Sequence, residues 1–408
     1  MQAIVVTFDR LATRLLGCYG NEWIETPNFD RLAAGSAVFD NCFADSVGPR
    51  RGQSWLTGMH ALKSQMQPVA RPLGSALESA GVVSSIMTVD QAHDLGWSSA
   101  GFANVQRISG SEGLDAHPTE VTFANLVRAG IESIRRPSTS AQNRLLWLHA
   151  SEPSVPPEGF ATLYADDFEE RGVILNEIPR EDWSRQIAVA AGSMSLIDHW
   201  LGELITQIRE NTRQEPTLLL IAGGAGRSWA DEFLATACAA QTGSPAALLR
   251  DMEARCPLLL TVLGSHRDSE YQGIRCQRFV QPMDVAATLR DWFQLPEASP
   301  SGSRSLLQEA LSEDPGRTEV FCSDDHQSFG IRNVDWNCLM RVSSSPHDAR
   351  LELAANNIPA TEQVQLFSKP EDVWDVTDLA TQYPETCDEL VAKLMAFRAS
   401  GLPAPVPA

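Results

Sequence analysis

The chain alternates short, largely apolar runs with longer stretches in which apolar residues return every three or four positions. Ala3 to Phe8, Gly81 to Val89, Leu145 to His149, Thr217 to Ala222 and Pro257 to Leu263 are β-branched or leucine-rich, and Gly, Pro or polar residues bound them. Such continuous runs suit strands buried on both faces, which means a mainly parallel sheet covered by helices. Between them, "SRQIAVAAGSMSLIDHWLGELITQI" places Ile187, Ala190, Ala191, Met194, Ile197 and Leu201 on one stripe. "PNFDRLAAGS" opens with Pro27 at a helix start and stops near Gly35, and "QPMDVAATLRDWFQL" turns Val285, Leu289 and Phe293 to one side.

Beyond about residue 315 the rhythm shortens to "EVFCSD", "WNCLMRV" and "EQVQLFS", followed by the helical "ETCDELVAKLMAFRAS". The pattern predicts a three-layer α/β domain over 1–315, a small α+β subdomain over 316–400 with a short antiparallel sheet and a helix, and a loose tail over 401–408. The Pro/Ser stretch "PEASPSGSRS" reads as a surface connection.

Composition narrows the function classes. With 408 residues, 43% of them apolar, the chain can bury a large core. A net charge of -20 argues against nucleic acid or an anionic membrane as a general partner, because a strongly acidic surface repels polyanions at long range. The 8 cysteines are scattered, with no C-x-x-C pair, and read as small buried hydrophobes in a reducing compartment. "MQAIVVTF" reads as the first strand rather than a signal peptide, and no apolar run reaches the ~18 residues of a membrane span. A cytoplasmic protein is the expectation, with no oligomeric state implied.

In an open parallel sheet, ligands bind beyond the carboxyl ends of the strands. The residues to inspect are therefore Asp9 and Arg10, the loop Asp45 to Arg51, Asp90 and Gln91, Ser151 to Ser154, and Gly223 to Arg227. An acid at a strand end is an ordinary metal ligand, yet Arg10 puts a positive charge where a second ligand would be expected. "GGAG" lacks the Lys and Ser/Thr of a phosphate loop and reads as a close backbone approach. His149, inside an apolar run, reads as a core histidine. Asp324, Asp325 and His326 resemble a metal cluster on paper but follow a strand of the small subdomain, and Asp166, Asp167, Glu169 and Glu170 read as a solvated acidic face.

The order of segments resembles the sulfatases of the alkaline phosphatase superfamily. "TFDRLATRLLGCYGNEWIETPNFDRLAAGS" is similar to the family's opening, with Leu16 to Gly20 matching L-G-C-Y-G and Thr26 to Ala33 matching T-P-N-L-D-x-L-A. "SVGPRRGQSWLTG" falls where the family carries C-x-P-S-R and L-T-G, and "SLIDHWLGELI" resembles its D-x-x-x-G helix. "GGAGRS" stands in place of S-D-H-G-E, "RCPLLLTV" resembles R-V-P-L, and "LFSKPEDVWDVTDLA" resembles L-Y-D-L-x-x-D-P-x-E-x-x-N-L-A. The resemblance implies an alkaline-phosphatase-like fold and sulfuric ester hydrolysis, with calcium held between paired aspartates and a D-H or D-N pair, and a cysteine or serine converted to formylglycine as nucleophile.

Carried over residue by residue, that machinery is mostly missing. Asp9 keeps the first metal position, but the second is Arg10 and the later pair becomes Gly224 and Ala225. The nucleophile position is Val47, which has no lone pair; Ser46 is a weak substitute. The family's sulfate-binding lysine and histidines become Val89, Gln91 and Ser154, while Arg50 and Arg51 remain. The expectation is a pseudo-enzyme without a cofactor, in which Arg10, Arg50 or Arg51 offsets the Asp9 carboxylate and binds a sulfate- or phosphate-like anion. The alternatives are an active sulfate or phosphate ester hydrolase using Ser46 or an activated water with Arg50 and Arg51, and a structural component whose former active-site face meets a partner protein.

Overall fold

The computed structural model describes residues 1–64, 71–89, 95–102, 104–113, 115–136, 142–150, 156–164, 180–211, 216–226, 249–264, 270–296, 300, 302–324, 327–342 and 361–400. Strands β1 (Gln2–Phe8), β2 (Ala37–Cys42), β3 (Val83–Val89), β4 (Val105–Ile108), β5 (Arg144–Ala150), β6 (Thr217–Gly223), β7 (Leu258–Leu263) and β8 (Ile274–Val280) form one sheet. Their order is β4-β3-β5-β1-β6-β7-β2-β8. All neighbours pair in parallel except at β7, which runs antiparallel to both β6 and β2. The sheet is α/β and mostly parallel, as the apolar runs predict.

Its two faces explain why the central strands are largely apolar. In β1, Ile4, Val6 and Phe8 enter one core, while Ala3 and Val5 enter the other. In β6, Leu219 and Ile221 face the first, and Leu218, Leu220 and Ala222 face the second. A pleat that alternates between two buried layers favours apolar residues at every position, and the buried polar residues Thr7 and His149 come only near the carboxyl ends of β1 and β5.

The first core is closed by α1 (Pro27–Ala34), α3 (Thr122–Arg135) and α4 (Arg180–Asn211), and the second by α2 (Leu73–Ser79) and α5 (Met283–Trp292). The stripe read on α4 faces inward, with Ala191, Met194, Ile197 and Leu201 all buried. α4 also docks α1 by a specific device. The Asp198 carboxylate accepts the N–H groups of Asn28 (3.0 Å) and Phe29 (2.8 Å) at the first turn of α1, together with the Asn28 side-chain amide at 2.9 Å. One turn on, a Cβ at Gly202 would lie 2.5 Å from the Asn28 side chain, so the small residue lets the helices meet.

A second sheet, in order β12-β11-β10-β9, is antiparallel and consists of β9 (Glu319–Ser323), β10 (Ser328–Asn333), β11 (Trp336–Val342) and β12 (Thr361–Ser368). The helix α6 (Pro384–Ala399) packs on it through Leu390 and Leu394. Among the described residues the cysteines are free thiols, mostly buried, and burial raises the pKa of each. No helix among them is long and apolar enough to cross a membrane.

Candidate functional site

The carboxyl end of β1 is zipped to both neighbours beyond the regular ladder. Asp9 N–H donates to the Ala150 carbonyl (3.0 Å), Gly224 N–H to the Phe8 carbonyl (2.8 Å) and Leu11 N–H to the Ala225 carbonyl (2.8 Å). These bonds bring Asp9, Ala150 and Gly224 side by side at the centre of the sheet, where a ligand would sit in this architecture.

The side chain the structure places against Asp9 is that of His149, which is fully buried, as expected of a core histidine. His149 Nε2 faces Asp9 Oδ1 at 3.3 Å, within ion-pair range although not aligned as a hydrogen bond, and both side chains are buried. Behind it, Trp147 Nε1–H donates to Thr7 Oγ1 (2.8 Å), and Thr7 Oγ1 lies 2.9 Å from His149 Nδ1. Because indole can only donate, Thr7 Oγ1 accepts from Trp147 and keeps a proton and a second lone pair with which to meet Nδ1.

Aromatic rings enclose this couple. Trp55 and Trp97 stand edge-on to His149, with centroids 6.0 and 5.7 Å away, and Trp97 packs on Trp147 at 5.3 Å. The indole N–H groups of Trp55 and Trp97 are buried with no acceptor among the described residues.

The turn that carries Trp55 also carries the candidate nucleophile positions. Val47 is half-buried against apolar residues of both sheets, and its N–H donates to the Ser323 carbonyl at 2.9 Å. Ser46 is fully buried, and its Oγ accepts the Gly48 N–H at 3.2 Å, the geometry of a local serine turn. Asp45 accepts the Ser54 hydroxyl (3.1 Å) and the Ala61 N–H (2.8 Å), which fixes the loop from beneath. Arg10, Arg50 and Arg51 are each half-buried, and Arg51 Nη1 donates to the Gly48 carbonyl at 3.2 Å.

Opposite, Gly223 to Gly226 lie against the chain that leads into β7. Gly223 N–H donates to Pro257 (3.0 Å) and Gly226 N–H to Glu253 (2.8 Å). A Cβ at Gly224 would fall 2.7 Å from the Asp9 carbonyl oxygen and 3.2 Å from the Trp55 ring. "GGAG" is thus a close backbone approach. Among the described residues, no three His, Cys, Asp or Glu side chains converge as a metal set.

Of the remaining candidates, Val89 ends β3 and is buried, whereas Asp90, Gln91, Ser154 and the acidic run at Asp166 to Glu170 lie outside the described residues. Asp324 accepts the Ser328 N–H (2.9 Å) in the β9–β10 turn, and Asp325 and His326 lie outside the described residues. His149, expected as a core histidine, is buried, and it joins Trp55 and Trp97, which the sequence did not single out, beside Asp9. The juxtaposition follows from the pairing of β1 with β5, which the two apolar runs alone do not specify.

The sulfatase family model matches residues 2–295, most of the chain. The chain belongs to the sulfatase family. No curated protein matches it. Solved structures superpose over nearly all of it at low identity, and that likeness shows the fold. One is i-CgsB in complex with a neocarrahexaose (14% identity, 99% of this chain and 93% of that chain, TM-score 0.70). Another is BT4656 in complex with D-glucosamine-2-N,6-O-disulfate (13% identity, 100% and 99%, TM-score 0.69). A third is the phosphonate monoester hydrolase of Agrobacterium radiobacter (14% identity, 98% and 96%, TM-score 0.64). The central sheet of this sulfatase-family chain and its small antiparallel sheet agree with theirs.

Proposed function

We propose that this sulfatase-family protein works without a metal ion, as an anion-binding pseudo-enzyme whose pocket lies at the carboxyl ends of β1, β5 and β6. The observation that carries this reading is the close packing at Gly224. A carboxylate there would need a Cβ 2.7 Å from the Asp9 carbonyl, so the position offers neither a ligand atom nor room for one. Calcium needs six or more oxygens, and the residues present do not fit it: Asp9 Oδ1 faces His149, and the adjoining residue is Arg10.

The same surroundings favour an anion. Arg10, Arg50 and Arg51 supply guanidinium charge at this end of the sheet, and the indole N–H groups of Trp55 and Trp97 are donors in need of an acceptor. Val47 provides no nucleophile, and the Ser46 hydroxyl is buried and accepts the Gly48 N–H. The chemical class that fits is a sulfate, a phosphate or an ester of either.

Thermal unfolding with calcium, magnesium, sulfate and phosphate tests this, beside Asp9→Ala and Arg51→Ala variants and a 4-nitrophenyl sulfate turnover assay. Sulfate or phosphate should raise Tm in a manner that needs Arg51; at 100 times Kd the gain is about 2.7 kcal/mol. A calcium-dependent rise that vanishes in Asp9→Ala would overturn the proposal, as would aryl sulfate turnover abolished by Ser46→Ala.

A further inference from the structure

The end of the small sheet farthest from the expectations of a sealed surface is the corner built by the β10–β11 turn and the segment after β12. Trp336 at the start of β11 pairs with Ser368 at the end of β12, Lys369 N–H donates to the Asp335 carbonyl (2.8 Å), and Leu379 N–H returns to Leu366 (2.8 Å). The Trp336 and Tyr383 rings pack at 5.2 Å. These contacts gather Val334, Val373, Trp374, Val376 and Tyr383 at one end of the sheet, with exposures of 65%, 52%, 56%, 73% and 46%. They are most of the exposed large hydrophobic side chains among the described residues.

The segment is fixed on both sides of Trp374. The Asp372 carboxylate accepts the N–H groups of Val376 (2.9 Å) and Thr377 (2.8 Å). The buried Asp375, in the left-handed region at φ 53, pairs with the buried Lys369 at 2.7 Å and accepts the Asn337 amide at 3.1 Å. Trp374 is thus an exposed aromatic side chain on an ordered loop, and a partner would lose little entropy in ordering it.

Charge selects the partner. Every charged residue from Glu371 to Glu389 is acidic, and Asp335, Glu371, Asp378 and Glu385 are exposed around the apolar side chains. We infer that this corner docks a basic amphipathic helix of a partner protein, whose apolar face covers Trp374 and Val376 while its lysines or arginines meet the acidic rim. A second copy of a chain with net charge -20 would bring like charge to like, and an anionic membrane would be repelled in the same way. The inference is independent of the anion pocket.

The test is a fluorescence anisotropy titration of the full chain with a labelled ~18-residue Leu/Lys amphipathic peptide, about five helical turns long. A Ser/Lys peptide and a Leu/Glu peptide serve as controls. Binding should be confined to the Leu/Lys peptide, weaken with salt, and fall about tenfold in Trp374→Ala at unchanged Tm. The double variant Glu371→Gln with Asp378→Asn should weaken it too. Should Trp374→Ala unfold, Val376→Ser at the most exposed position provides the same readout. Equal binding by these variants, equal binding of the Ser/Lys peptide, absence of binding, self-association lost in Trp374→Ala, or preferential partition onto phosphatidylcholine vesicles would each overturn the inference.

Discussion

Acidification should loosen the seam between the two sheets through a single histidine. His60 is 2% exposed, donates from Nε2 to the Phe321 carbonyl in β9 (2.9 Å), and accepts the Leu62 N–H on Nδ1 (3.2 Å). Its ring stands edge-on to Phe397 of α6 at 4.9 Å, and Phe397 stacks on Phe321 at 3.9 Å. Burial lowers its pKa from 6.5 to about 4, with Lys63 and Arg317 adding repulsion against the favourable Phe321 carbonyl. The unfolded chain therefore takes up the proton first as pH falls. His60 contributes fully above pH 6.5, and its contribution is lost between 6.5 and about 4. From those two values the loss is about 2 kcal/mol by pH 5 and about 3 kcal/mol by pH 4. Urea unfolding of wild type and His60→Gln, which retains a donor for Phe321 but does not titrate, isolates the effect from the carboxylates. The difference in stability between the two proteins should shrink by about 2 kcal/mol from pH 7 to pH 5. A difference that stays flat over that range would refute the assignment.

Three further outcomes follow from the geometry. Gly224→Asp, which installs the acid of the family pattern, should cost about 1–3 kcal/mol by overpacking against the Asp9 carbonyl and Trp55, and millimolar calcium should not restore the melting temperature. His149→Phe removes the imidazole that faces the buried Asp9 carboxylate and should lower stability by about 3 kcal/mol, whereas combining it with Asp9→Asn should recover part of the loss in a double-mutant cycle followed by denaturant. Asp198→Ala orphans the first N–H groups of α1 and should cost about 2 kcal/mol in thermal unfolding, with Asp198→Asn costing less because one acceptor oxygen remains.

The central strands were legible because burial on two faces favours continuous apolar runs, and β1, β5 and β6 fall within a residue or two of them. The flanks were not. β2 (AVFDNC), β4 (VQRI) and β8 (IRCQRFV) sit toward the sheet's outer strands, where one face is partly wet and the composition mixes. The antiparallel course of β7 was also hidden, since an apolar run carries no direction and only its place between β6 and β2 reveals it. At the site, Asp9, Val47 and Gly224 could be located from motif order along the chain. His149 could not, because its meeting with Asp9 depends on the pairing of β1 with β5, some 140 residues apart.

The motifs that persist and those that have changed divide by what their residues hold. Thr26 Oγ1 accepts the Gly17 N–H (2.8 Å), the Tyr19 hydroxyl accepts Leu258 N–H (2.9 Å), and Asn28 is clasped by Asp198. The first ties two loops together, the second a loop to β7 and the third α1 to α4, so the fold needs them whether or not the strand ends perform chemistry. Asp9, Arg10, Gly224 and Ala225 lie at or just beyond the ends of β1 and β6 and Val47 in the loop after β2, and on the proposed reading substitution there alters the anion pocket and leaves those ties intact. If this division is right, Asn28→Ala should lower Tm while the affinity for sulfate, measured on the folded protein, stays the same. Arg51→Ala should do the reverse, weakening sulfate with little change in the Tm of the free protein. Loss of sulfate affinity in Asn28→Ala at temperatures well below its Tm would mean that the α1–α4 clasp shapes the pocket as well as the fold.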